Sequence, residues 1–414
     1  MSRLRFQPLL HSWEVGSAAL PVEVRTPELG LVGTALTTGT LKVEPGRYHV
    51  TARLPAGQEL SGSVEVATGE SATVQLTLDP AHVSPHETEE LQRFVWGFDP
   101  ASHDAGLRAL RTAAKQPLRL IPYDGNPLSE GYRRLNSRLV EFQPRPDEGS
   151  PETLALSVRG PLNLIQLHRP GADDMNAVIP AVAFGPPLAW IVVRPEADGS
   201  VGLMVRPTHA TADALLGFGE HNLMSETAEL AGGGVLQAEE LLRGKRRDPV
   251  AAAAGAYALL RVGELERLHD WTRNLERWVP WLADGVVIRA EHLVQLRQDR
   301  KALGMLLTLE RRGLPLFTEG LTLAIKRLRR YAATGTGIPK AQTRRAARLL
   351  ERLSEYATYA DFSEPTLTFS GGNPNRPGSP TTRSKDRFGY NLAPLIEQAR
   401  EELRRRKRAE RRAK

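Results

Sequence analysis

The N-terminal part of the chain alternates apolar and polar residues with a period of two. Between residues 20 and 80, five such runs are separated by turns that contain Gly or Pro. Because successive side chains of a strand point to opposite faces, this pattern predicts half-buried β-strands. Turns about ten residues apart are typical of a small antiparallel β-sandwich. The predicted strands are Leu20–Arg25, Thr40–Val43, Tyr48–Leu54, Gly62–Val66 and Thr73–Leu78.

Apolar runs return between residues 117 and 210, after a short helix predicted over 102–115. They indicate a second β-rich module, in which 197–200 has the composition of a hairpin turn. The runs are Leu118–Ile121, Leu139–Phe142, Leu154–Val158, Leu162–Leu167, Ala189–Val193 and Gly202–Val205.

From residue 226 onward the apolar period changes to 3.6, which predicts helices. Asp248 followed by Pro249 is a strong helix start, because Asp caps the first turn and Pro fits the first helical position. Helix pairs at about thirty-residue spacing are similar to tetratricopeptide-type hairpins and predict a helical-repeat-like bundle. The predicted helices are 249–262, 264–278, 285–298, 300–312, 316–332 and 340–359.

These patterns predict an α+β multidomain protein: an N-terminal β-sandwich, a second β-rich module and a C-terminal helical-repeat-like bundle. Between the bundle and a last helix, residues 370–380 consist almost entirely of Gly, Pro, Asn and Ser. This composition predicts a flexible linker that proteases cut first. The expected boundaries are 1–84 for the sandwich, 85–240 for the β-rich α+β module, 241–360 for the bundle, 361–391 for the linker and 392–414 for a basic C-terminal helix.

Composition narrows the cellular setting and the chemistry. Of the 414 residues, 41% are hydrophobic and 25% charged, as in a soluble globular protein. The sequence has no apolar run long enough for a membrane span or a secretory signal, so we expect a cytoplasmic bacterial protein with no membrane partner. The absence of cysteine excludes disulfides, thiolate zinc sites and a cysteine nucleophile.

Charge is unevenly distributed along the chain. Residues 1–100 hold 7 Lys/Arg against 12 Asp/Glu, whereas residues 301–414 hold 25 against 11. The basic end is therefore the best candidate for contact with an acidic partner. The candidate partner-binding residues are Lys326, Arg327, Arg329, Arg330, Arg344, Arg345, Arg348, Arg404, Arg405, Arg406, Lys407 and Arg408. Because the tail has no aromatic residue and no helix-turn-helix signature, a protein partner is favoured and nucleic acid is the alternative.

We find no constellation that predicts catalysis, a cofactor or a metal. The glycine runs at 232–234 and 371–372 lack the lysine of a phosphate-binding loop, and there is no Gly-x-Ser-x-Gly. Three pairs of residues are candidate metal ligands, but for each we favour histidines that lie on the surface or are hydrogen-bonded in the core. Glu291 and His292 are expected on a helix surface. The three pairs are His82 with His86, His209 with His221, and Glu291 with His292.

The tryptophans of the helical half have two possible roles: they could stack on a ligand or pack in the core. Trp271 and Trp278 lie seven residues apart, and Trp281 follows a proline. With Tyr257 they are expected to pack in the core, since aromatic residues dominate buried area in helical folds.

Two stretches resemble known families. Glu44–Ala52, with Val64–Val66 and Gly69–Glu70, resembles PEGA and carboxypeptidase-regulatory-like β-sandwich repeats. This resemblance implies an accessory module that positions or binds and does not catalyse.

The second resemblance covers about residues 240–332, through 245–261, 278–290 and 312–321. These are similar to helical regions of uncharacterised bacterial proteins that accompany caspase-like or CHAT-type peptidases. It implies a partner, adaptor or substrate of such a peptidase. We therefore predict a non-enzymatic protein-interaction adaptor, or a regulated component, of a bacterial signalling or antiviral defence system; the alternative is a nucleic-acid-binding protein that uses the Arg-rich C-terminal helices.

Overall fold

The structure is a computed structural model, and it describes most of the 414 residues. The described residues are 2–10, 13–14, 20–27, 30–37, 39–53, 59–78, 100–113, 118–145, 153–169, 172–180, 186–195, 200–209, 212–213, 215–216, 241–262, 268, 270–333, 338–381 and 389–413. Most of their strands lie in the N-terminal half and most of their helices in the C-terminal half. The chain is therefore an α+β multidomain protein, as its residue pattern predicts.

An eight-stranded sheet forms the N-terminal module, with the strand order β2-β1-β8-β7-β6-β3-β4 and with β5 paired to β1. Val22, Val24 and Val50 alternate inward and are fully buried, which is why period-two alternation locates the strands. The strands are β1 Ser2–Leu10, β2 Trp13–Glu14, β3 Pro21–Arg25, β4 Leu31–Leu36, β5 Thr40–Val43, β6 Gly46–Arg53, β7 Glu59–Val66 and β8 Ser71–Leu78.

All five predicted strands of this module are confirmed, and three further strands join them. One of these, β1, pairs in parallel with β8, from Arg3 opposite Ser71 to Leu9 opposite Thr77. The sheet therefore contains a parallel pair, and the prediction of a purely antiparallel sandwich is wrong on this point. The parallel pair joins opposite ends of the module, so local turn signals did not indicate it.

Two further sheets form the middle of the fold, after helix α1, Pro100–Ala113. One has the order β10-β9-β13-β14-β17, with β18 also on β9; the other has the order β11-β12-β15-β16. The strands are β9 Arg119–Asn126, β10 Gly131–Arg134, β11 Glu141–Pro144, β12 Leu154–Arg159, β13 Leu164–His168, β14 Met175–Val178, β15 Ala189–Pro195, β16 Val201–Pro207, β17 Thr368–Ser370 and β18 Tyr390–Asn391.

The helices of the C-terminal half begin close to the predicted positions. Asp248 caps the first of them as expected, because its Oδ1 accepts the Ala251 amide at 2.9 Å. The single helix predicted over 300–312 is interrupted at 307–308. Of the helix predicted over 264–278, the later residues, Trp271–Trp278, are helical. The helices are α2 Pro249–Val262, α3 Trp271–Trp278, α4 Asp284–Gln295, α5 Asp299–Leu306, α6 Leu309–Arg312, α7 Thr318–Ala332 and α8 Lys340–Thr358.

The structure differs from the predicted flexible linker over residues 364–381. Thr366, Leu367 and Phe369 are buried there, and β17 extends the six-stranded sheet by pairing Ser370 with Met175. The glycine at position 378 allows a tight turn and does not indicate a flexible segment. Gly378 has φ +71° and lies so close to the Tyr359 ring that a Cβ would meet ring atoms at about 2 Å. Residues 382–388 of the predicted linker lie outside the described residues.

The last helix, α9 Leu392–Ala413, contacts α1 and β11 through its first half. Leu395, Ile396 and Leu403 are buried in this contact, and Arg111 of α1 donates to Glu397 at 2.6 Å. Among the described residues, no helix has both the length and the apolar character needed to cross a membrane.

Candidate interaction surface

Exposed cations concentrate where helices α7 and α8 are joined. The end of α7 and the first half of α8 are separated by the short connection 333–339, and the two helices pack against each other. We call the exposed basic side chains of this region the hairpin cations. They are Lys326, Arg329 and Arg330 of α7 and Lys340, Arg344 and Arg348 of α8.

Two other predicted partner-binding residues of these helices are paired with carboxylates of the bundle. Arg327 donates from Nε and Nη2 to the two carboxylate oxygens of Glu291, both at 2.7 Å. Arg345 donates to Glu310 at 2.7 and 2.5 Å. These hydrogen bonds raise the pKa of each guanidinium. The structure thus separates six exposed hairpin cations from two arginines that hold the bundle together.

The row on α8 is not explained by helix stability. Lys340, Arg344 and Arg348 follow at intervals of four, so the like charges are neighbours on one helix face. Each such pair destabilises a helix by about 0.2–0.5 kcal/mol, and a cation in the first turn opposes the helix dipole. The first acidic residue of α8 is Glu351. Because this row opposes local helix stability, it favours a role in binding.

The C-terminal tail supplies the other predicted cations. Arg404, Arg405 and Arg408 are exposed on α9 beyond Leu403, the last buried residue of the helix. Arg405 makes a weak ion pair with Glu401 at 4.0 Å. The side chains of Arg406 and Lys407 lie outside what the structure describes.

In the described part of the chain, no group of three acidic or histidine residues converges as a metal site would require. Contrary to the helix-surface prediction, Glu291 and His292 are buried, at 3% and 8% exposure. His292 Nδ1 lies 3.0 Å from the Thr272 hydroxyl. Burial and the nearby Arg289 charge lower the pKa of His292. His82, His86 and His221 lie outside the described residues.

A buried carboxylate joins three elements of the helical half. Asp284, at the start of α4, accepts hydrogen bonds from the Tyr257 hydroxyl at 2.9 Å and from the amides of Leu316 and Phe317 at 2.7 and 3.2 Å. It is fully buried. Burial raises its pKa to about 6, although these hydrogen bonds to the charged form partly offset the effect.

Asp284 is expected to make stability depend on pH. Its pKa in the folded state lies above its ordinary value, so as pH rises from about 4 to 6 the unfolded carboxyl ionises first. The free energy of unfolding should therefore fall over this range, by about 3 kcal/mol, since one pKa unit corresponds to about 1.4 kcal/mol. Asp284→Asn should remove the contribution of this carboxyl, so that the free energy of unfolding falls by about 3 kcal/mol less over the same range, as measured by urea unfolding at a series of pH values.

The matched control for this prediction is Asp173→Asn, because Asp173 is exposed. Its unfolding curves should follow those of the unmodified protein at every pH. Parallel pH dependence of Asp284→Asn and the unmodified protein would show that the carboxyl does not titrate in this range.

The aromatic residues of the helical half divide between core and surface. Tyr257 is buried, and Trp271 and Trp281 are half-buried, in line with core packing. Trp278 is instead 50% exposed. The tryptophans are separated in the sequence from the basic residues at 243–247, so their spacing does not predict that the two groups meet.

Parts of the chain resemble known proteins. Residues 214–412 match the family model described as the Y4kD C-terminal domain. The chain is also 29% identical over 175 residues to a protein of a Desulfuromonadales bacterium that is named a probable protease. That match covers 38% of this chain and 21% of the relative, so the chain spans about a fifth of the relative's length. A link to peptidase-containing proteins is thereby supported; the resemblances to PEGA modules and to companions of CHAT-type peptidases stay predictions.

Proposed function

We propose that this protein is a non-enzymatic protein-binding component of a bacterial peptidase-associated system. In this role it acts as an adaptor for, or a regulated substrate of, a caspase-like or CHAT-type peptidase. The similarity to a relative named a probable protease supports the peptidase context. The absence of cysteine from the chain itself supports a companion role rather than that of a cysteine peptidase.

The observation that carries the binding role is the row of Lys340, Arg344 and Arg348. These side chains are exposed, whereas Arg345 between them is paired with Glu310. Lys326 and Arg329 are also exposed, on α7, the helix that packs against α8. An acidic protein surface would therefore be complementary in charge to this row, and its binding would relieve the repulsion among the three cations.

A capture experiment tests this proposal. The tagged full chain is recovered from its natural host, and the proteins bound to it are identified by mass spectrometry. We expect a peptidase among them, and at least tenfold less of it with the charge-reversal variant R329E/R344E/R348E, an order-of-magnitude loss typical of interface charges. The purified chain alone should not cleave casein.

The matched control is R404E/R405E/R408E, which reverses the same number of charges on α9. It should retain the peptidase. Equal loss with both variants, or cleavage of casein by the chain alone, would contradict the proposal.

Nucleic-acid binding through α9 is the second candidate, favoured by the exposed Arg404, Arg405 and Arg408 beyond the packed part of the helix. If it holds, the captured material is nucleic acid that nuclease removes. Binding then weakens steeply with salt and is lost in R404E/R405E/R408E rather than in R329E/R344E/R348E.

A further inference from the structure

Three basic residues stack on two tryptophans at the start of the helical half. Lys245 lies with Nζ 5.5 Å from the ring centroids of both Trp271 and Trp278. Arg243 lies 5.4 Å from the Trp271 ring, and Arg246 lies 5.5 Å from the Trp278 ring. All four distances are within the range of cation–π attraction. We call these five residues the tryptophan–cation cluster.

The cluster arises from two neighbouring elements. Arg243, Lys245 and Arg246 lie in or beside a single 3₁₀ turn, Gly244–Arg246. Trp271 and Trp278 are seven residues apart, which places them on the same face of α3. The turn thus lies against one helix face, where aromatic rings contact all three cations.

The cluster combines a buried cation with an exposed aromatic ring. Lys245 is only 5% exposed, and its ammonium donates to the Leu242 carbonyl at 3.0 Å. Among the described residues, neither Lys245 nor Arg246 has an acidic partner. Trp278, by contrast, is 50% exposed, and the charged groups of Lys245 and Arg246 both lie within 6 Å of its ring centroid. The positive charge of Lys245 and Arg246 therefore lies next to a large apolar surface, with no countercharge paired to it in the described part of the chain.

We infer that the tryptophan–cation cluster is a second docking site, for an acidic segment of a protein partner that also carries an apolar side chain. Trp and Arg are the residues most enriched among those that dominate binding energy at protein interfaces. The cation–π contacts hold Trp278 and Arg246 in place before binding, which lowers the entropic cost of ordering them. This inference rests on the proposed function in that it takes the partner to be a protein.

The geometry favours a peptide over a single-stranded nucleic acid. Base recognition by a tryptophan requires an open ring face on which the base stacks. Here both Lys245 and Arg246 lie over the Trp278 ring. An acidic peptide instead pairs its carboxylates with Arg246 and packs an apolar side chain against the exposed part of the ring.

Fluorescence anisotropy of the full chain with two labelled probes tests the inference. One probe is a fluorescein-labelled peptide of alternating Glu and Leu, and the other is labelled oligothymidylate. We expect the peptide to bind, and Trp278→Ala and Arg246→Glu each to weaken it about tenfold, as for residues at the centre of an interface. Arg246→Glu changes an exposed side chain, so it keeps the test valid if Trp278→Ala fails to fold.

Two controls match these changes elsewhere on the protein. Phe362→Ala removes an aromatic ring that is 53% exposed, and Arg138→Glu reverses an exposed arginine near β11. Both should leave the affinity within about twofold. Equal weakening by Arg138→Glu and Arg246→Glu would overturn the inference, as would no binding of the peptide. Tighter, Trp278-dependent binding of oligothymidylate would overturn it in favour of nucleic acid.

The outcome is independent of the capture experiment. R329E/R344E/R348E leaves the tryptophan–cation cluster intact and should bind the peptide as the unmodified protein does. Loss of the captured peptidase in that variant, together with unchanged peptide affinity in Trp278→Ala, would uphold the proposed function and refute the second site. The reverse combination would refute the proposed function alone.

Discussion

Replacing Arg327 with alanine is expected to lower the free energy of unfolding by about 3–5 kcal/mol. Its partner Glu291 is 3% exposed and accepts two hydrogen bonds from the guanidinium. Alanine would leave this carboxylate buried and without a countercharge. That loss is much larger than the removal of a surface ion pair, which costs about 1 kcal/mol or less. Urea unfolding at neutral pH measures the difference.

Arg329→Ala is the matched control, because Arg329 is exposed two residues further along the same helix. Its effect should stay within about 0.5 kcal/mol. The double change R327M/E291M should recover much of the lost stability, since it removes both charges together. If Arg327→Ala were no more destabilising than Arg329→Ala, the ion pair with Glu291 would not stabilise the fold. Arg327 would then again be a candidate partner-binding residue, as the sequence predicted.

Phe369→Ala is expected to destabilise the protein by about 3–5 kcal/mol, the usual cost of truncating a buried Phe. Phe369 is 1% exposed on β17, and its ring lies edge-to-face with Tyr356, the ring centroids 5.1 Å apart. If residues 364–370 were part of a flexible linker, the same change would cost almost nothing. The measurement is again urea unfolding.

Phe362→Ala provides the control within the same segment, because Phe362 is 53% exposed. It should change the free energy of unfolding by no more than about 0.5 kcal/mol. Similar small effects for both phenylalanines would support the linker prediction and contradict the packing of β17.

Elements with strong local patterns were predicted from the sequence. Alternation located β3, β5, β6, β7 and β8, and the Asp248–Pro249 start located α2 to the residue. These signals depend on neighbours in the chain: a strand face repeats every two residues, and a cap acts on the next turn. Such information is contained in a short window of sequence.

The elements that were not predicted depend on distant partners. β17 is followed directly by Gly, Asn and Pro, and it is a strand because it pairs with the edge of β14, about 190 residues earlier in the chain. Composition correctly indicated turns there, as at Gly378, but turns within a packed structure resemble those of a linker. The parallel pairing of β1 with β8 has the same origin.

The candidate surface was predicted only as a set of charges. The sequence shows that Arg327 and Arg345 are basic, but their partners Glu291 and Glu310 lie about 35 residues away. Whether a cation is exposed or paired is decided by packing between helices. The same holds for Lys245, whose contact with two tryptophans joins a 3₁₀ turn to a later helix.

The pairing of β9 with β18 has a consequence for synthesis. Arg119 pairs with Asn391, so the sheet in the middle of the protein is completed only after some 270 further residues have left the ribosome. Until then the corresponding edge of β9 is unpaired, and such edges attract strands of other chains. A nascent chain that stalls before β18 should therefore depend on chaperones, whereas the N-terminal sheet, complete by residue 78, should already be protected against proteolysis.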